Sequence, residues 1–173
     1  MKTTLEISID TEASGPCITE GDVVNFGAVV VEPSLERTFL SPTMLPLFEK
    51  YNEGAYRSIG MTREEHNAAT ATVQEGFMLF NEWIESLNFP GRITMVSDNP
   101  AFDWQWINFG FHLTLGRNPL GHSARRIGDM WAGLRGRQNE QSSWKRLRRT
   151  KHTHCPRDDA MGNAEAYLKI WEQ

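Results

Sequence analysis

An α/β chain with a central mixed sheet flanked by helices is predicted by three observations. The N-terminal third holds three runs with the alternation or β-branched content of strands, close enough in sequence to form an antiparallel meander. The middle carries two capping-box signatures and an apolar stripe at helical spacing. A further strand-like run then lies between two helical segments, which makes the sheet partly parallel.

The first strand is Leu5-Glu6-Ile7-Ser8-Ile9, apolar at every second position. It ends in Asp10-Thr11-Glu12 before the turn Ser14-Gly15-Pro16. Val23 to Val31 and Glu36 to Leu40 supply the second and third strands around Glu32-Pro33-Ser34-Leu35. Residues 41–61, with Pro42 and Pro46 near their start, predict a loop with short helical turns. Thr62-Arg63-Glu64-Glu65 and Thr72-Val73-Gln74-Glu75 each place a hydroxyl three residues before a carboxylate, so that each side chain satisfies the other's orphan amide. After the second box, Val73, Phe77, Phe80, Ile84 and Leu87 form one apolar stripe against the sheet, ended by Asn88, Pro90 and Gly91.

Arg92 to Ser97 reads as a strand. Asn99 can cap a helix with Pro100 at its first position, running to about His112 and carrying Asp103 one turn in. Phe102, Trp106, Phe109 and Trp104 are its apolar side chains; Trp104 and Trp106 are open to base stacking as well as to core packing. Arg125 to Trp131 looks like a helix start, and the basic run Lys145 to Arg149 reads as a solvated helix face. The last helix, Asp158 to Trp171, is expected to dock through Met161, Ala164, Leu168 and Trp171, with Gly162 and Ala166 permitting close approach.

With 173 residues, 39% of them hydrophobic, the chain is expected to form one domain, 1–173, with a core that needs no staples. A formal charge of −4 argues against a general nucleic-acid-coating protein but leaves open a nucleic acid held locally by metal ions. No leader pattern and no apolar run of membrane-spanning length appears, so a soluble, cytoplasmic protein with no membrane partner is expected. Cys17 and Cys155 are too few for a disulfide framework and read as free thiols.

Asp10 and Glu12 fall on one side of an extended backbone, and two carboxylates that close repel unless a cation lies between them; hard oxygen donors suit Mg²⁺ or Mn²⁺. Two further acidic sites follow, Asn99-Pro100-Ala101-Phe102-Asp103 and His154-Cys155-Pro156-Arg157-Asp158-Asp159. D-x-E, N-x-x-F-D and H-x-x-x-x-D, in this order and on these elements, resemble the DEDD-type 3′→5′ exonucleases. The resemblance is to the His-bearing DEDDh subgroup, which includes proofreading exonucleases, RNase T and oligoribonuclease-like enzymes, and it extends over nearly the whole chain, including Ile59-Gly60-Met61-Thr62.

That resemblance implies a ribonuclease H-like fold and a hydrolase that shortens single-stranded RNA or DNA from its 3′ end to nucleoside 5′-monophosphates. Asp10, Glu12, Asp103 and Asp159 would hold two Mg²⁺ or Mn²⁺ ions, with Asp10 bridging, and His154 would be the general base. Glu12 and Ala13 would hold the terminal 3′ hydroxyl, with Phe102 beside them. His152 competes with His154, and Asp158 with Asp159; the spacing and the Ala160 that follows favour His154 with Asp159. Asp98, at a strand end, reads as structural or as a support behind the ligands, and not as a ligand itself. The resemblance also allows a homodimer. Two other readings remain at this stage: a catalytically silent nucleic-acid-binding module of the same fold, and a ribonuclease H-like endonuclease.

Overall fold

Alternation in the first strand becomes two cores, one on each side of the sheet. In the computed structural model, which describes residues 3–172, β1 (Thr4–Ala13) is the central strand of five, in the order β3 (Thr38–Leu40), β2 (Val23–Val30), β1, β4 (Arg92–Ser97), β5 (Ala124–Arg126). The meander is as expected: β2 (Val23–Val30) is antiparallel to β1, and β3 (Thr38–Leu40) antiparallel to β2. β4 (Arg92–Ser97) runs parallel to β1, as expected of a strand reached through helices.

On one face Ile7, Ile9, Phe26, Ala28 and Met95 pack with Val73, Phe77, Phe80 and Ile84 of α3 (Val73–Ser86) and with Trp106 and Phe111 of α4 (Pro100–Leu115). On the other, Val29, Val31 and Val96 meet Trp131, Trp144, Ala160, Ala164 and Tyr167. The alternation of β1 therefore sends Asp10 toward the second layer and Thr11 toward the first.

Both capping boxes are present, at α2 (Arg63–Asn67) and α3 (Val73–Ser86). The segment expected as a loop with short helical turns contains one such helix, α1 (Glu53–Ile59), capped by the Asn52 side chain on the Ala55 amide (3.1 Å) and stopped by Gly60 at φ 66°. α4 (Pro100–Leu115) runs three residues beyond His112, to a left-handed Gly116. Asn99 stands at its N-cap position, but the cap is made by its carbonyl, which accepts the amides of Phe102 (2.9 Å) and Asp103 (3.1 Å), and not by its side chain.

Three expectations are corrected. The helix start at Arg125 is first a strand, β5 (Ala124–Arg126), parallel to β4, and only then α5 (Ile127–Arg135); three residues show no readable period. The basic run is solvated only in part: it begins inside a 3₁₀ turn, Ser143–Leu147, with Lys145, Arg146 and Arg149 exposed, but Arg148 lies over the Trp144 ring at 4.9 Å with only 11% of its side chain exposed. The last helix, α6 (Pro156–Trp171), buries Ala160, Ala164, Tyr167 and Ile170, whereas Trp171 is 58% exposed and Met161 and Leu168 are only partly buried. Small residues on that face let α6 lie directly on β1 and β2. No described helix is long and apolar enough to cross a membrane.

Candidate active site

The acidic end of β1 coincides with a break in strand register between Glu12 and Ala13, where β2 contributes one extra residue. Bulges of this kind bend a strand and re-aim its side chains. Asp10 and Glu12 meet the first turn of α6 here: one ligand oxygen from each of Asp10, Glu12 and Asp159 lies within 4.8 Å of the others.

Why α6 starts at this spot is legible in β2. Gly27 pairs with Asp10 across the ladder, and a Cβ at 27 would overlap the backbone of Pro156 and Arg157. Glycine thus allows the helix to begin against the sheet, beside the acids. Asp159 then fastens the chain that enters the helix: its oxygens accept the amides of Thr153 (3.0 Å) and His154 (2.9 Å). His154 adopts a left-handed backbone at φ 60° and brings Nδ1 to 3.5 Å from Glu12 Oε1. Upstream, Glu165 accepts the amides of Arg149 (2.6 Å) and Thr150 (2.8 Å), which fixes the path into His152 and His154.

Asp103 reaches the site from the opposite layer. Its Oδ1 accepts both the amide (3.1 Å) and the hydroxyl (2.8 Å) of Thr11, and its Oδ2 accepts the Ser97 hydroxyl. Three protein donors hold Asp103 in place, and it is not one of the three grouped carboxylates. Sequence reading missed Thr11, Ser97, Gly27 and Arg148. Asp98 is structural, as expected, paired with Lys145 (2.6 Å) and Arg148 (3.6 Å).

The electrostatics are those of crowded anions. Burial, then the Asp159 and Asp103 charges, pushes the Glu12 carboxyl up to about 8. Asp10 is raised well above the carboxylate range by burial and by Asp103, Glu12 and Asp159, against the pull of Arg148. Burial lifts Asp103 to about 6, moderated by the hydrogen bonds from Ser97 and Thr11. An all-oxygen donor set whose members hold protons against their will fits a hard divalent cation, which would displace those protons.

Beside the acids opens a cleft of about 290 Å³, lined by Glu12, Ala13, Asn52, Ile59, Phe102 and His154 among others. All three residues expected to touch substrate, Glu12, Ala13 and Phe102, are on its wall. Its far wall is α1, tied to β1 by the Asn52 amide on the Ser14 carbonyl (2.7 Å). Of the competing residues, Asp158 is turned outward beside Arg157 (3.7 Å), while His152 places Nδ1 2.9 Å from Asp159 Oδ1. Cys17 is exposed and Cys155 partly buried, both free thiols. Neither sulfur is grouped with the acids or histidines among the described residues.

The five-stranded mixed sheet with helices on both faces is a ribonuclease H-like α/β fold, similar to that of DEDDh exonuclease structures. The 3′-5′ DNA exonuclease Cap18 of Escherichia coli is 29% identical over 170 residues, 96% of this chain and 87% of its own length. The nuclease domain of 3′hExo, a DEDDh family member bound to rAMP, has the same fold, with a TM-score of 0.78 at 14% identity over 97% of this chain and 92% of that one. E. coli Exonuclease I in complex with a dT13 oligonucleotide gives 0.63 at 16% identity, covering 98% of this chain and 40% of that one. No protein-family model matches the chain. The resemblance read from the motifs is borne out in sequence and in fold.

Proposed function

We propose that this chain, as one catalytic domain over 1–173, is a metal-dependent 3′→5′ exonuclease that releases nucleoside 5′-monophosphates from single-stranded nucleic acid. The observation that carries the reading is the convergence of Asp10, Glu12 and Asp159 within 4.8 Å, with His154 at the edge of the adjoining cleft. The similarity to an E. coli 3′-5′ DNA exonuclease supports DNA as a substrate, with RNA as the comparison.

Asp10, Glu12 and Asp159 would hold Mg²⁺ or Mn²⁺, and Asp103 would act on a second ion through water, since both its oxygens already accept hydrogen bonds. Bound ions of this class neutralise charge on the phosphoryl oxygens and on the departing 3′ oxygen. His154, partly exposed and next to Glu12, takes the proton from the attacking water. The cleft has about the smallest volume usual for a small-molecule site, roughly 300 Å³, so it suits one terminal nucleoside and not a duplex. Glu12, Ala13 and Phe102 seat that end. Free thiols agree with a cytoplasmic location.

End-labelled single-stranded DNA and RNA of several lengths, incubated with Mg²⁺ or Mn²⁺, should be shortened from the 3′ end to mononucleotides. His154→Ala should slow this by about 10²- to 10⁴-fold. A 3′-phosphate should block it, because a second charged group would enter a site walled by carboxylates. Fragments released from a circular strand would overturn the exonuclease reading in favour of an endonuclease, and no cleavage with either ion would leave a binding module.

A further inference from the structure

His152 has no part in the chemistry above, yet it stands closer to Asp159 than His154 stands to Glu12. Its Nδ1 is 2.9 Å from Asp159 Oδ1, its side chain is 53% exposed, and its ring meets that of His154 edge-on with centroids 4.4 Å apart. One ligand atom from each of His152, His154 and Asp159 lies within 4.8 Å of the others. This is a second donor set, sharing only Asp159 with the carboxylate cluster, and its chemistry differs.

Two imidazoles and one carboxylate are poor ligands for Mg²⁺, which demands oxygen, and good ones for zinc. Around a four-coordinate zinc with bonds of about 2.0–2.2 Å, donor atoms stand roughly 3.3 Å apart. The His152–Asp159 pair is already within that separation. The remaining closure falls on exposed imidazole rings. Asp159 is the fixed corner, 1% exposed and held by the amides of Thr153 and His154.

We propose that His152, His154 and Asp159 form a zinc site distinct from the carboxylate site, and that zinc bound there arrests the enzyme. Arrest follows because one ion withdraws both His154 and Asp159 from their work on substrate. This inhibitory half rests on the exonuclease reading; the binding half does not.

The test measures zinc affinity by competition with a chromophoric chelator, in millimolar Mg²⁺ and above neutral pH, for the native protein and for His152→Ala. Losing a directly bound ligand should weaken zinc binding by at least the about 10- to 100-fold that loss of a mere outer-shell partner costs. Zinc inhibition, normalised to each protein's own zinc-free rate, should shift by a similar factor. Co²⁺ in place of zinc should give a visible spectrum of nitrogen ligation in the native protein and lose it in the variant. Equal zinc affinities in the two proteins would overturn the site. If zinc binds through His152 but no nucleic acid is degraded, the site stands while the exonuclease reading, and inhibition with it, falls. If degradation occurs with the same zinc sensitivity in both proteins, the exonuclease reading stands and inhibition through this site falls.

Discussion

Thr11 donates both its amide and its hydroxyl to a single oxygen of Asp103, 92 positions away in sequence. A central strand and a helix from the first layer are thereby joined at the point where β1 turns acidic. Thr11→Val keeps the amide and the shape but removes the hydroxyl. Loss of a hydrogen bond to a charged group costs about 1.5–3 kcal/mol. Asp103, already lifted to about 6 by burial, should rise further, so the acidic limb of the pH–rate profile should move to higher pH. Thr11→Ser should restore it. A profile unmoved by Thr11→Val would mean that Asp103 is not ionised during turnover.

Gly27 bears on the other layer. Gly27→Ala drives a methyl group into the backbone of Pro156 and Arg157, and overpacking of this kind costs about 1–3 kcal/mol. The start of α6 must retreat, taking Asp159 and His154 with it. Turnover and Mn²⁺ affinity should therefore fall by more than the loss in thermal stability accounts for. A variant that is less stable but binds Mn²⁺ like the native protein would show that the helix start adapts.

Both of these residues lie beyond the point where the sequence is legible. Asp10 and Glu12 were legible because residue type and a two-residue period act locally, and α3 was legible because Thr72 and Glu75 cap each other within one turn. Thr11 and Ser97 were not, since a hydroxyl says nothing of a carboxylate placed beside it by tertiary packing. Gly27 passes unremarked inside a β-branched strand; only the helix lying on it gives it a purpose. Arg148 was misread because a basic run looks solvated until Trp144, Asn163 and Asp98 close around one member of it. The zone Ala124–Arg126 is too short to show a period at all.

Charge crowding makes stability depend on pH. A carboxyl whose value is raised by folding keeps a proton that the unfolded chain has already released, so the folded state loses ground as pH rises. For Glu12 the window opens at the usual 4.5 and closes at about 8, and for Asp103 it opens at 3.8 and closes at about 6; Asp10 acts in the same direction. The melting temperature of chelator-treated protein should fall from about pH 4 to about pH 8 and then level off with respect to Glu12 and Asp103. Mg²⁺ or Mn²⁺ should raise it, and by more at the upper end, where ions displace fewer protons. A gain from metal that shrinks with rising pH would contradict the assignment of these carboxylates as ligands.

Asp10→Asn separates what the cluster does for stability from what it does for function. The change removes one negative charge and almost no volume at the residue that feels all three neighbouring acids, so repulsion from Asp103, Glu12 and Asp159 is relieved together. Without metal, the variant should melt at a higher temperature than the native chain near and above neutral pH, and its melting curve should depend less on pH. With metal the order should reverse, because a neutral amide is a weaker ligand than a carboxylate and the native chain gains stabilisation by mass action that the variant cannot. Hydrolysis should be lost under both conditions. Thermal melts of the two proteins in chelator and in Mn²⁺, with activity measured on the same samples, decide it: an Asp10→Asn protein that is less stable without metal would mean that Arg148, and not a bound cation, is the principal partner of Asp10.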